Sequence, residues 1–445
     1  MSLIPPQTAG RRRWSLPGRH SVPVPALSGV LTLLLGASPL HAQEALRSAL
    51  LLDRSIEQRP PQAAGSAPVA EGPHLGPVGL TLSLYERASY EDNISLLERS
   101  PRPDTILGSG AKVGLDWAAT ERSSLRFGTE VGYIEYLRNR QNSGIEIQPD
   151  SALTYQVTAS DLVVTLFDQL SYSRRVLTEG ALANVTSLPR LNNTIGARLA
   201  WSPGRWSLEQ SYSHNTFIAE SKAFEYLNRS SDFLFLRAGW GFTEATRAGL
   251  EASATLTAYD VSKANDNHAI SLGPFAEWQI LPTLRVTARG GPSRTYFDSS
   301  QAGAASATLR AYFLGGELTQ QLTPFLSHTL NVTRDVQPGL YQGSSYIEEL
   351  RTGYTVNWAL TAWMTAGLSL FWESGKQPFP VQAAPNALIL VPESYDRYGL
   401  GPSLGWRFTD HFSLNVGYAH TDRHSTLRGR GYQSNSTSLQ LSYSF

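Results

Sequence analysis

Seven histidines lie beyond residue 42: His74, His214, His268, His328, His411, His420 and His424. An imidazole can move protons or hold a metal near neutral pH, so the neighbours of each decide whether it does chemistry. None belongs to a zinc-binding HExxH, and the chain has no phosphate-cradling GxxxxGK[ST]. No nucleophile elbow is expected either. His214-Asn215, and His420 with His424 near Asp422, fall where a rim protease or lipase would place a base and its orienting acid. Solvated loop histidines give the same pattern, and Glu220, Glu225 and Asp232 read as ordinary loop charges. With no cysteine there is no catalytic thiol, disulfide scaffold or thiolate metal site. No catalytic residue, metal or cofactor is therefore expected.

A second set of charges recurs in one register of alternating runs. The basic members are Lys112, Arg126, Arg198, Arg237, Arg247, Arg285, Arg289, Arg351, Arg397 and Arg407; the acidic ones are Asp116, Glu130, Glu209, Glu251, Glu277 and Glu349. If the opposite register meets lipid, these residues line a lumen, and ten bases against six acids make a mildly basic wall. Arginine rings lower the barrier for anions. The plainer reading is that Arg and Glu pair across neighbouring strands and satisfy one another.

The elements that would hold such a wall are strands. From Val78 to Phe445 the helical period is missing and a period of two replaces it, as in Ile195, Ala197, Leu199 and Trp201 alternating with Thr194, Gly196, Arg198 and Ala200. Short turns are expected at Ala118–Ser123, Ala159–Asp161, Ser202–Arg205, Phe242–Thr246, Leu281–Thr283, Gln321–Pro324, Leu360–Ala362 and Thr409–His411. Longer polar stretches separate them, among them Arg138–Pro149, Thr178–Arg190 and Ser374–Glu393. Short turns at one end, long loops at the other and runs of about ten residues between them are the signature of a transmembrane β-barrel. The reading is all-β: a single antiparallel up-and-down barrel of about 18 strands, with 16 as the alternative because Leu153–Tyr172 is ambiguous. A propeller would need four short strands in each repeat of about 40 residues, where two long ones occur.

The lipid face is expected at Val113, Leu115 and Trp117; Leu125, Phe127 and Val131; Ala248, Leu250, Ala252, Ala254 and Leu256; Met364, Ala366, Leu368 and Leu370; Leu400, Leu404 and Trp406. Lys or Arg there would cost roughly 2 to 4 kcal/mol at mid-membrane. Trp117, Trp201, Trp206, Trp240, Trp278, Trp358, Trp363 and Trp406 sit near short turns and read as a periplasmic aromatic girdle; Tyr90, Tyr136, Tyr172, Tyr212, Tyr259, Tyr296 and Tyr418 read as the opposite one. Within Ser374–Glu393 the apolar run Ala387–Val391 is expected to fold inward as a constriction, or else to cap the mouth or contact lipopolysaccharide.

The last strand alternates Leu439, Leu441, Tyr443 and Phe445 with serines and Gln440. This resembles the C-terminal signature of bacterial outer-membrane proteins, which implies recognition by the barrel-assembly machinery. The stretch Val78–Phe445, opened by Tyr90-Glu91-Asp92-Asn93-Ile94, resembles the β-barrel porin families of uncharacterised function, most closely the second. The resemblance implies a fold and a place in the outer membrane of a Gram-negative bacterium. Some relatives are associated with exopolysaccharide export, and no family active site comes with the likeness.

Residues 1–42 read as a secretory signal: Arg11, Arg12, Arg13 and Arg19 lead, Val22–Leu35 is apolar, and cleavage is expected after Ala42. Residues 43–77 read as a periplasmic arm, with a short amphipathic helix within Glu44–Gln58 and a Pro/Ala-rich linker from Pro60 to Pro77. The arm is a flexible tail, a docking handle for a periplasmic partner, or a plug. Residues 78–445 are the barrel. Without the signal the chain has 33 basic and 37 acidic groups, a balance that argues against nucleic acid. The expected partners are outer-membrane lipid and lipopolysaccharide, with the assembly machinery and periplasmic chaperones during biogenesis. The expected function is a porin-like passive channel for small hydrophilic solutes, anionic or sugar-like. The alternatives are an outer-membrane conduit for exopolysaccharide export and a hydrolase working through rim histidines.

Overall fold

The computed structural model describes residues 74–176, 179–298, 308–384 and 387–445. The expected signal and nearly all of the arm lie outside the described residues. The strands are β1 (His74–Leu75), β2 (Val78–Glu91), β3 (Asp104–Thr120), β4 (Ser123–Tyr136), β5 (Gly144–Ile147), β6 (Ala152–Ala159) and β7 (Leu162–Ser173). Next come β8 (Arg190–Trp201), β9 (Trp206–Ala219), β10 (Arg229–Gly241), β11 (Thr246–Tyr259), β12 (Asn267–Leu281), β13 (Leu284–Phe297) and β14 (Thr308–Thr323). The chain ends with β15 (Leu326–Pro338), β16 (Tyr346–Ala359), β17 (Met364–Ala384), β18 (Ala387–Arg407), β19 (Phe412–Ser425) and β20 (Tyr432–Ser444).

Apart from β5 and β6, each strand pairs antiparallel with its sequence neighbours, and β2 pairs with β20, so the sheet closes on itself. β5 and β6 share one place between β4 and β7, interrupted at 148–151, and β1 only flanks the start of β2. The wall therefore has 18 strands. Closure removes the free edges that an open sheet would offer for aggregation. At the seam Leu84 lies opposite Tyr443, the Phe445 amide donates to the Leu82 carbonyl at 3.0 Å, and Tyr443 meets Phe445 edge to face at 4.8 Å.

The period of two puts successive side chains on opposite faces of the wall. All the apolar registers expected at the lipid face share one face, on which Leu250, Leu256, Leu272 and Leu404 stand exposed. A contiguous exposed apolar belt of this kind is stable only against lipid or another protein. Trp117, Trp201, Trp206, Trp278, Trp358, Trp363 and Trp406 are exposed at the short-turn end, and Trp206 stacks edgewise on Trp240 at 4.9 Å. No helix among the described residues is long and apolar enough to cross a membrane.

Three expectations change. Tyr136 and Tyr259 face inward and are buried, because unbroken alternation from the outward Val131 and Leu256 puts them in the opposite register; they belong to no girdle. The outer face also carries two mid-strand carboxylates, Glu86 and Asp168, each held by a neighbour: Ser109 donates to Glu86 and Asn193 to Asp168, both at 2.6 Å. Finally, Ser374–Glu393 is not a loop. It forms the tall end of the β17–β18 hairpin, with Val381 opposite Ile389 and Gln377 opposite Glu393. The backbone groups of the apolar run are satisfied by that ladder, so the run neither folds inward nor caps the mouth.

Candidate functional site

Inside the ring, β10 to β13 carry the densest charge. Arg237 reaches Glu251 at 2.8 Å and Glu277 at 3.4 Å, while Arg289 reaches Glu251 at 3.3 Å. Arg285 and Arg247 approach Glu277 at 3.4 and 3.7 Å. Glu251 and Glu277 thus each serve more than one guanidinium, and Glu317 of β14 stands opposite Thr287, between Arg285 and Arg289. Arg237 is also packed over the Phe275 ring at 4.3 Å, a contact that holds its planar head against the wall.

The other charges of this register are spread around the ring. Arg198 pairs with Glu209 at 2.6 Å, Arg126 with Asp116 at 3.1 Å and Lys112 with Asp150 at 3.7 Å. Arg397 pairs with Glu373 at 2.7 Å, both fully buried. Glu349 accepts from Tyr395 at 3.0 Å, and Arg351 and Glu130 are buried. Arg407 donates to the Ala362 carbonyl at the short-turn end at 2.9 Å. Cross-strand pairing neutralises much of the wall, and the excess of guanidinium is concentrated at β10–β13.

What narrows the mouth is the loop from β7 to β8. Val176, Ala181, Leu182, Ala183 and Leu188 are buried in a cluster with Phe217, Leu227, Leu340, Ile347, Tyr395 and Tyr432, side chains from strands and loops all around the ring. The loop is tied by its backbone. Arg423 donates to the Gly180 carbonyl at 2.9 Å, Arg430 to Ala181 at 3.1 Å, and Asn184 to Gly429 at 2.9 Å. The Ala183 amide donates to the Tyr341 hydroxyl at 2.9 Å. Gly180 is required by close approach, since a Cβ there would overlap the Glu373 carboxylate. Asn184 takes a left-handed backbone, φ 62°, which asparagine tolerates better than most residues.

A single buried carboxylate organises the tie. Glu393 accepts from Arg430 at 2.8 Å, Arg423 at 3.0 Å, Ser425 at 2.7 Å and Gln377 at 2.9 Å. It lies above the last residues that β17 and β18 share with their outer neighbours β16 and β19. Burial pushes its carboxyl up, but the Arg430 hydrogen bond and the Arg423 and Arg430 charges outweigh this and hold it below the ordinary carboxylate range. Arg190 pairs with Glu179 at 3.1 Å and fixes the base of the same loop. In the β9–β10 loop, burial pushes the Tyr226 hydroxyl up to about 12 while it donates to Leu340 at 3.2 Å.

Beside the loop a cavity of about 150 Å3 lies against β9–β14 and the 335–346 segment. Its wall mixes hydroxyls and amides, among them Asn215, Ser231, Thr257 and Thr295, with the apolar Phe233, Phe313 and Leu340 and the carboxylate of Asp335. Arg229 closes one side. Its guanidinium is buried over the Phe217 ring at 4.3 Å and donates to the Leu227 carbonyl at 3.0 Å, and no carboxylate lies within ion-pair distance among the described residues. Such a wall presents donors and acceptors to a hydroxylated solute, with the Arg229 guanidinium and the Asp335 carboxylate both on its lining.

The rim histidines point outward. His214 contacts Asp232 at 2.9 Å, with Tyr212 donating to the same carboxylate at 2.6 Å. His420 contacts Asn435 at 2.8 Å, and His424 lies 3.6 Å from Asp422. Gly401-Pro402-Ser403-Leu404-Gly405 does satisfy GxSxG, contrary to expectation, but it runs through the middle of β18 with no turn or helix, so it is no elbow. Ser403 faces the lumen, on the opposite side of the wall from the histidines.

Sequence reasoning missed Glu373, Glu393, Arg423, Arg430, Arg229 and Gly180. The one local signal was the apolar Ala181-Leu182-Ala183 inside a polar stretch.

No family model matches the chain, and no curated protein does. Among solved structures it is similar to OccK2 (OpdF) of Pseudomonas aeruginosa, 11% identical, covering 82% of this chain and 97% of that one, with a TM-score of 0.44. The same protein in complex with glucuronate aligns at 12% identity, 82% and 98% coverage and a TM-score of 0.43. OccAB3 of Acinetobacter baumannii aligns at 10% identity, 82% and 99% coverage and a TM-score of 0.42.

Proposed function

We propose that the chain is an outer-membrane channel that passes small hydrophilic solutes passively and favours anionic or sugar-like ones. The observation that carries this reading is the cavity beside the inward loop, whose wall offers hydroxyls and amides together with the Arg229 guanidinium and the Asp335 carboxylate. The guanidinium excess around Arg237 and Arg289 continues the same preference along the wall. The apolar outer belt, the tryptophan edge and the closed sheet support a place in the outer membrane. The burial of Leu182 and Leu188 across the mouth supports a path for small molecules over one for a polymer. Outward-facing histidines, separated from Ser403 by the wall, support transport over hydrolysis.

The test is the refolded barrel in planar bilayers under a salt gradient. A reversal potential of anion sign is expected, with conductance lowered by added uronate or aldonate. Cation preference, or an absence of conductance together with ester hydrolysis, would overturn the reading.

A further inference from the structure

Arg294 on β13 and Arg310 on β14 are register partners. The face is set by their neighbours: Pro292 lies opposite the exposed Tyr312, and Ile270, exposed on β12, is opposite Arg294. Both arginines therefore project from the outer surface, and both are exposed. Directly opposed residues bring their Cβ atoms to about 5 Å, where like charges destabilise the pair. A barrel gains nothing from such a pair unless something anionic sits between them.

Their height is that of a headgroup. On β13 the outward residues below Arg294 are Val286, Ala288, Gly290 and Pro292, an apolar run from the short-turn end, and Tyr296 stands one step above. No acid lies within ion-pair distance of either arginine among the described residues. The 299–307 stretch that joins their strands contains no acidic residue in its sequence. The next cation, Arg334 on β15, lies over the Tyr312 ring at 3.8 Å and is already bound to Glu348 at 2.7 Å. Lys376 stands opposite Glu348 on β17. Arg294 and Arg310 thus stand side by side, while the Glu348 carboxylate nearest to them on the outer face is engaged by Arg334.

From this we infer that the outer ends of β13 and β14 form a binding site for the phosphorylated headgroup of an outer-leaflet glycolipid. Two guanidiniums on adjacent strands can grip one phosphate by charge-assisted, bidentate hydrogen bonds. Pro292, Ile270 and Leu272 below them supply the surface for acyl chains, and Tyr296 and Tyr312 the interfacial rings. The site is on the outside of the wall, so it stands whether or not the lumen conducts.

The experiment is native mass spectrometry of the full mature barrel in detergent, titrated with lipid A carrying its phosphates and with lipid A from which they have been removed. The wild type should retain the phosphorylated form preferentially. R294Q and R310Q should each weaken retention about fivefold, and the double variant about twenty-five-fold. Heat-modifiable gel migration confirms that each variant is folded, and R294K/R310K, which keeps the charge, should retain part of the binding. Equal retention of dephosphorylated lipid, unchanged retention by the double variant, or complete competition by millimolar inorganic phosphate would each overturn the proposal.

Discussion

Arg423 of β19 donates its Nε hydrogen to the carbonyl oxygen of Gly180 at 2.9 Å, joining a strand near the closing seam to the middle of a loop that left the wall between β7 and β8. A backbone carbonyl at the mouth of a water-filled barrel would otherwise be solvated. The arginine replaces that water and is itself held by Glu393. The loop is therefore positioned by polar ties to its backbone and by burial of its few apolar side chains, so that loosening either should widen the path.

Replacing Glu393 by alanine should act most directly. It leaves Arg423 and Arg430 buried without their shared acid, a situation that typically destabilises by about 3 to 5 kcal/mol. The ring of strands does not depend on this contact. The expected outcome is a folded barrel with a larger, noisier single-channel conductance. A conductance identical to wild type would show that the loop is held by packing alone.

The same carboxylate gives a pH dependence with a definite sign. Its folded value is depressed below 4.5, so its contribution is present above that value and is lost as pH falls through the lower, folded value. Conductance should stay flat from pH 7 down to about 4.5 and rise only below it. E393Q should abolish that acid step. An inflection above 4.5 in the wild type would contradict the arrangement.

Gly180 to valine tests the packing side. The added side chain overlaps Glu373, which is buried against Arg397, so the loop must move because the paired strands cannot. Conductance should increase while the heat-modifiable migration of the folded barrel is retained. Loss of folding altogether would mean that the loop is needed to close the wall.

How much of this could be read from the chain follows from what each feature depends on. Leu250, Ala252, Ala254 and Leu256 announce their face because the pleat alone dictates it, and the eight turns follow from the interruptions of that pattern. The register also placed Arg237, Glu251, Glu277 and Arg289 on a common face, though not which acid serves which base. Tyr136 and Tyr259 failed because a face assignment at a strand end turns on a single residue of register. Ala387–Val391 drew attention by hydropathy, whereas its role is set by pairing with β17. The loop at Gly180–Leu188 has no period to read. Its burial depends on partners such as Tyr341 and Arg423, more than 150 residues away in sequence.

Glu277 offers the sharpest test of wall charge. It serves Arg237, Arg247 and Arg285 together, so E277Q removes one negative charge and releases three guanidinium contacts. A unit charge about 8 Å from the ion path is worth about 0.5 kcal/mol in water, or about twofold in the anion-to-cation permeability ratio. The reversal potential should move in the anion direction by that amount at low salt and by less at high salt, because screening shortens the reach of the released charge. R285Q should move it the other way, and R237Q less so, since Arg237 is buried while Arg285 is partly open to the lumen. If E277Q and R285Q moved the potential in the same direction, the effect would come from altered width, and the wall could not be the source of selectivity.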